Sequence, residues 1–122
     1  MVDYMRIIYD TAIEALISEF PSLQKIYSEN QDEYIGLPYA LYESEFQPYV
    51  MYQVRQRDMA GVKRCFDFIE KLFVEGDDEV ATLVGVSFVE STFFEEDYEK
   101  HKDIILGACG KHTRRSFELC VH

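Results

Sequence analysis

From Val80 to Val89 the chain carries no charge, and Val80, Leu83, Val84, Val86, Phe88 and Val89 spread over nearly the whole circumference of a helix drawn through them. A helix apolar on all sides belongs at the centre of a fold. The run is about half the length a helix needs to cross a bilayer, so it points to a core and not to a membrane span. Asp77 or Asp78 can cap its start, which predicts a helix over 79–92. The same β-branched residues would suit a buried strand, but a strand needs a partner and the chain offers no second candidate. The segment therefore predicts a buried central helix inside an all-α fold.

Periodicity elsewhere agrees with that class. Met5, Tyr9, Ile13 and Ile17 form one row at four-residue spacing, and Ile8, Ala12, Leu16 and Phe20 form the next, with Asp3, Arg6, Asp10 and Glu14 opposite. These rows predict an amphipathic helix from the start of the chain to about Glu19. Pro21 suits the first turn of a second helix, about Ser22 to Glu33, before the breaker Gly36-Leu37-Pro38. Pro48 predicts two short helices or one kinked helix between Tyr39 and Arg57, with the break near Phe46 and Gln47. Asp58 is placed to cap a helix with Val62, Phe66, Ile69 and Phe73 on one face, and Gly76 is expected to end it in the left-handed conformation. A shorter helix from Glu95–Tyr98 toward Leu106, a turn at Gly107 to Gly110, and a final helix marked by Thr113, Phe117, Cys120 and Val121 complete the chain. At 122 residues the expectation is one domain, 1–122, a compact bundle of six or seven short helices around the segment at 79–92.

Patterns that carry catalysis are mostly missing. The glycines at 36, 61, 76, 85, 107 and 110 never bracket a Lys-Ser/Thr pair or form GxGxxG. Gly85-Val86-Ser87-Phe88-Val89 lacks the second glycine of a nucleophile elbow, so Ser87 is expected to bond the preceding helical turn. His101, Cys109 and His112 could ligate zinc, with Cys120 and His122 to complete the set, but their spacings of eight and three match no familiar ligand pattern. Asp97 and His101 lie one turn apart and make an ion pair the simpler expectation. Cys65, Cys109 and Cys120 are an odd number without a CxxC pair, which suits reduced thiols and a cytoplasmic location. The N-terminus shows no basic region followed by an apolar one, so no signal peptide is expected. Neither a catalytic residue nor a cofactor or metal is assigned, and the small metal-dependent enzyme built on His101, Cys109 and His112 stands as the weakest alternative.

Charge narrows the partner. Acidic residues outnumber basic ones 23 to 12, and no Lys or Arg occurs between Leu72 and Glu99. Glu75, Asp77, Asp78 and Glu79 precede the central helix, and Glu95, Glu96, Asp97 and Glu99 follow it. Such a surface repels nucleic acid and anionic membrane and steers cationic proteins toward it. Six of the nine tyrosines, Tyr27, Tyr34, Tyr39, Tyr42, Tyr49 and Tyr52, fall in another stretch without Lys or Arg. Aromatics on an acidic ground suit a protein-binding surface, although tyrosines packed inward with only their hydroxyls in water are the plainer alternative for about half of them. The expected docking residues are the eight carboxylates named above with Phe94, Tyr98, Tyr39, Tyr42, Tyr49 and Tyr52.

Gly76-Asp77-Asp78-Glu79-Val80-Ala81-Thr82-Leu83-Val84-Gly85-Val86-Ser87-Phe88-Val89-Glu90, followed by Asp97-Tyr98-Glu99, resembles a group of small, acidic, helical bacterial proteins. Some of its members look like immunity proteins of contact-dependent or polymorphic toxin systems. The likeness covers about the second half of the chain. It implies an intracellular inhibitor that binds a secreted toxin domain, often a nuclease, and it transfers no catalytic residue. A nuclease carries a basic groove for phosphate, which an acidic protein can fill. A helical adaptor or subunit with an endogenous protein partner would use the same surface.

Overall fold

Caps and breakers set the helix boundaries. A computed structural model describes residues 6–120, and among these eight helices form. They are α1 (Ala12–Glu19), α2 (Pro21–Glu29), α3 (Gln31–Tyr34), α4 (Pro38–Leu41, Tyr42–Phe46 and Gln47–Arg55 in direct succession), α5 (Met59–Glu75), α6 (Asp78–Val84, Gly85–Glu90 and Ser91–Phe93 in direct succession), α7 (Tyr98–Ala108) and α8 (Lys111–Glu118). The all-α class expected from the sequence is the observed one, with eight helices in place of six or seven.

Asp58 accepts the Gly61 N–H at 3.1 Å and Asp77 accepts the Val80 N–H at 3.0 Å, so both expected caps hold. Asn30 divides the expected second helix in two. Its Nδ2 donates to Ile26 O at 2.8 Å, a side-chain bond that competes with helix continuation. Gly36 reverses the chain before Pro38 with φ of 70°, a conformation glycine adopts without steric cost.

Three expectations change. Among the described residues the first helix starts at Ala12 and does not extend back through Ile7, which pairs with the α5–α6 connection instead. Its N–H donates to Glu75 O at 2.8 Å and its carbonyl accepts from Asp77 N at 2.9 Å, burying the isoleucine. Asp3, Met5, Val121 and His122 lie outside the described residues. Pro48 does not break α4. The preceding turn widens so that Gln47 N–H reaches Tyr42 O, an i→i+5 bond, and the helix runs on through the proline. Gly76 is extended, with φ −82° and ψ 156°, and is not left-handed. Glycine is required there for space: a Cβ would sit 2.3 Å from Leu72 O and 2.6 Å from Val80 Cγ1.

The core is aromatic at its centre. Phe46, in the widened turn of α4, lies within 5.5–5.8 Å of the rings of Phe20, Tyr42, Phe68 and Phe88, edge to face with Tyr42 and Phe68 and tilted against Phe20 and Phe88. Phe88 extends the network to Phe66 and Phe117. Tyr42 is fully enclosed and donates its hydroxyl to Ala12 O at 2.8 Å. α6 buries Val80, Leu83, Val84, Ser87, Phe88, Val89 and Thr92 against this core. The expected central helix is therefore present, but it is not enclosed on all sides, since Glu79, Thr82, Val86 and Glu90 face outward in one row. Ser87 donates to Leu83 O at 2.6 Å, as its place in the helix predicted.

Candidate functional site

Two widened turns put the outward row of α6 where neighbouring helices can frame it. The Gly85–Glu90 segment of α6 packs beside the Tyr42–Phe46 segment of α4 and against α8. On the α4 side stand Tyr39 and, one turn on, Glu43, whose Oε1 accepts from Ser91 Oγ at 3.4 Å. On the α8 side stand Ser116 and Leu119.

Two hollows lie along the row. At the N-terminal end of α6, Tyr9, Tyr39, Asp78, Glu79 and Thr82 line a depression of about 460 Å³. The rings of Tyr9 and Tyr39 are 6.2 Å apart, and Tyr39 is 38% exposed. At the C-terminal end, Gly85, Glu90, Phe94, Ser116, Leu119 and Cys120 line a depression of about 410 Å³. Phe94 is 74% exposed there and Leu119 56%. Val86, itself exposed, stands in the row between Thr82 of the first hollow and Glu90 of the second. Exposed aromatic and aliphatic groups beside the carboxylates of Asp78, Glu79 and Glu90 make a surface suited to a cationic, partly apolar partner.

The expected docking residues divide. Asp78, Glu79, Phe94 and Tyr39 belong to this strip, and Glu96 and Glu99 are exposed beyond its end, the latter 3.8 Å from Lys102. Asp77 is occupied as the cap of α6. Glu75 is half-buried, and its Oε1 has no hydrogen-bond partner among the described residues. Glu95 and Asp97 are already neutralised. Asp97 takes both arms of Arg55, Nε to Oδ2 at 2.8 Å and an Nη to Oδ1 at 2.9 Å, and Glu95 lies 3.7 Å from the same guanidinium and accepts from Gln47 Nε2 at 2.9 Å. Those hydrogen bonds from Arg55, against the opposing effect of burial, hold the Asp97 carboxyl down to about 2.

Two of the expected aromatic anchors are not available. Tyr42 is enclosed in the core, and Tyr98 is only 5% exposed, stacked on Phe117 at 6.0 Å and tilted against Phe93 at 5.1 Å. Tyr49 is half-buried with its edge against Phe20, while Tyr52 is exposed toward the far end of α4. Tyr34 is buried and donates to Glu45.

Sequence reasoning missed Tyr9, Glu43, Thr82, Val86 and Leu119 as members of the strip, and left Glu90 out of the docking set. The signal for the α6 members was present in the spacing of Glu79, Thr82 and Glu90, the polar residues of a segment that otherwise looks apolar all round.

His101, Cys109 and His112 do not converge. His101 Nε2 meets Asp97 Oδ2 at 3.2 Å, the contact expected from their spacing, whereas His112 Nδ1 meets Glu70 Oε2 at 2.6 Å and Cys109 Sγ donates to Ile105 O at 3.2 Å. Among the described residues, no three His, Cys, Asp or Glu side chains gather as a metal site would need. Burial pushes the Cys65 and Cys109 thiols up to about 12, so neither is an activated nucleophile. No helix of the described residues is long and apolar enough to cross a membrane.

A family model described as a domain of unknown function (DUF7674) matches residues 13–119. No curated protein and no solved structure matches the chain.

Proposed function

The chain belongs to the DUF7674 family, a domain of unknown function, and for this chain we propose a non-enzymatic role, the binding of a cationic protein through the acidic and aromatic strip of α6. One observation carries this reading. Asp78, Glu79 and Glu90 stand exposed beside Tyr39 and Phe94, and none of the three forms a salt bridge among the described residues. Long-range attraction then sets the rate of encounter, and the exposed rings supply the contact area that holds the complex.

The partner class we favour is the nuclease domain of a secreted bacterial toxin, with this chain as its cytoplasmic immunity protein. The resemblance of 76–90 and 97–99 to immunity-like proteins supports that choice. A basic groove built for phosphate is also the kind of surface that Asp78, Glu79 and Glu90 complement.

The test is co-expression with the C-terminal domain of a large secreted protein encoded immediately upstream. Rescue of growth together with co-purification is the expected result, and failure of both removes the toxin reading. The electrostatic component is tested on the same pair: association should slow as salt rises, and Asp78→Lys with Glu79→Lys should weaken capture without loss of helical signal. Asp77 is kept intact in this test because reversing it would uncap α6. A partner indifferent to salt and to both reversals would overturn the electrostatic reading.

A further inference from the structure

We propose that the strip along α6 receives one amphipathic, basic helix of the partner, laid over α6 between the walls formed by α4 and α8. This deepens the reading above and rests on it. Glu79, Thr82, Val86 and Glu90 recur at three- and four-residue steps and are all exposed, so they mark one outward face of α6. From Glu79 to Glu90 the row is about 16 Å long at 1.5 Å per residue, the length of roughly three helical turns.

The relief of the strip fits such an occupant. Apolar hollows lie at both ends, one at Tyr9, Tyr39 and Thr82 and the other at Gly85, Phe94 and Leu119, with the Val86 side chain, 40% exposed, between them. A helix placing apolar side chains at i, i+4, i+7 and i+11 reaches both hollows from one face. Charge selects the flanks of that helix. Asp78 and Glu79 stand at one end, Glu90 at the other, and Glu43 on the α4 wall, so Lys and Arg beside the apolar stripe meet carboxylates along its length. An acidic amphipathic helix would find the same hollows and be repelled by the carboxylates, and a neutral one would gain nothing from them.

The experiment uses the intact chain and two synthetic 16-residue peptides of identical Leu, Lys and Arg content, one with leucines at i, i+4, i+7 and i+11 and one scrambled to break the stripe. Affinity is read by fluorescence anisotropy, and the contact surface by amide and methyl shifts. The striped peptide should bind at least tenfold more tightly, move Val86, Phe94 and Thr82, and gain helical signal on binding. Val86→Gln and Phe94→Ser, both neutral changes at exposed positions, should each cut its affinity fivefold or more while leaving the salt dependence in place. If both peptides bind alike and these variants are neutral, while Asp78→Lys with Glu79→Lys still weakens binding, the helix inference falls and the electrostatic reading survives. If neither peptide binds at low salt, both fall. Self-association abolished by Phe94→Ser would identify the occupant as a second copy of this chain and overturn the inference in that way.

Discussion

Glu70 on α5 caps α8 through Thr113, its Oε1 accepting both the backbone N–H and the hydroxyl of that residue at 2.9 Å. Gly110, at the start of α8, has no side chain to perform this task, so the cap is supplied from another helix. The same carboxylate accepts from the His112 N–H at 3.1 Å and meets its ring at 2.6 Å. Glu70→Ala should therefore cost about 2–3 kcal/mol, a cap plus several charge-assisted bonds, and lower Tm by roughly 10 °C. Gly110→Ala should act on the same contact, because its Cβ would lie 2.5 Å from the Glu70 carboxyl. In the Glu70→Ala background most of that second cost should vanish, giving a coupling of about 1 kcal/mol or more in a thermal double-mutant cycle.

Acid should expose the same contact. Burial alone would raise the Glu70 carboxyl, yet the bonds from Thr113 and His112 outweigh it and hold it at about 2. A folded-state pKa below the unfolded value of about 4.3 means stability that is complete above roughly pH 5 and lost as pH falls toward 2. Neutralising the excess of carboxylates relieves self-repulsion over the same range, so the informative quantity is a difference. Urea titrations of the wild type and of Glu70→Gln should differ most at pH 7, and most of that difference should be gone by about pH 2.5. A gap that stays constant over that range would mean the charge of Glu70 carries none of the effect.

Much of the fold was legible because helix caps and apolar rows are local. Asp58, Asp77, Pro38 and the row Val62, Phe66 and Ile69 each act within a few residues of themselves. What sequence could not show are relationships that join distant segments. The stretch from Leu72 to Glu99 looks unbalanced only until Arg55, outside it, closes on Asp97. Ile7 is drawn out of a helix by the backbone at Glu75 and Asp77, and Gly76 is required by the approach of Leu72 and Val80 rather than by handedness. Tyr98 and Phe94 lie four residues apart in the same acidic aromatic segment, yet one stacks on Phe117 and the other faces water.

Arg55 should behave as the local neutraliser of the strip's far end. Its guanidinium grips Asp97 with two bonds and lies near Glu95, at a half-exposed position. Arg55→Ala and Arg55→Lys should each cost about 1 kcal/mol at low salt, since lysine cannot reproduce the fork, and the deficit should shrink in 1 M NaCl. Asp97→Asn should show the same loss, with little added by combining the two. Additive losses would mean that each residue acts through some other contact.

Alanine should have opposite effects at Gly76 and Gly85, the glycines on either side of the start of α6. At Gly76 the new Cβ would press on the Leu72 carbonyl at 2.3 Å and on Val80, and relief requires moving the connection that pairs with Ile7 and carries the Asp77 cap. Gly76→Ala should destabilise by about 3 kcal/mol or more, in the range reserved for buried clashes. Gly85 has φ −59° inside α6, and a Cβ there would meet only Ser116 Oγ at an ordinary 3.9 Å. Gly85→Ala should stabilise by about 0.5–1 kcal/mol by lowering the entropy of the unfolded chain. Chemical denaturation at neutral pH separates the two. Equal losses at both positions would show that helix propensity and close approach are not what set these glycines apart.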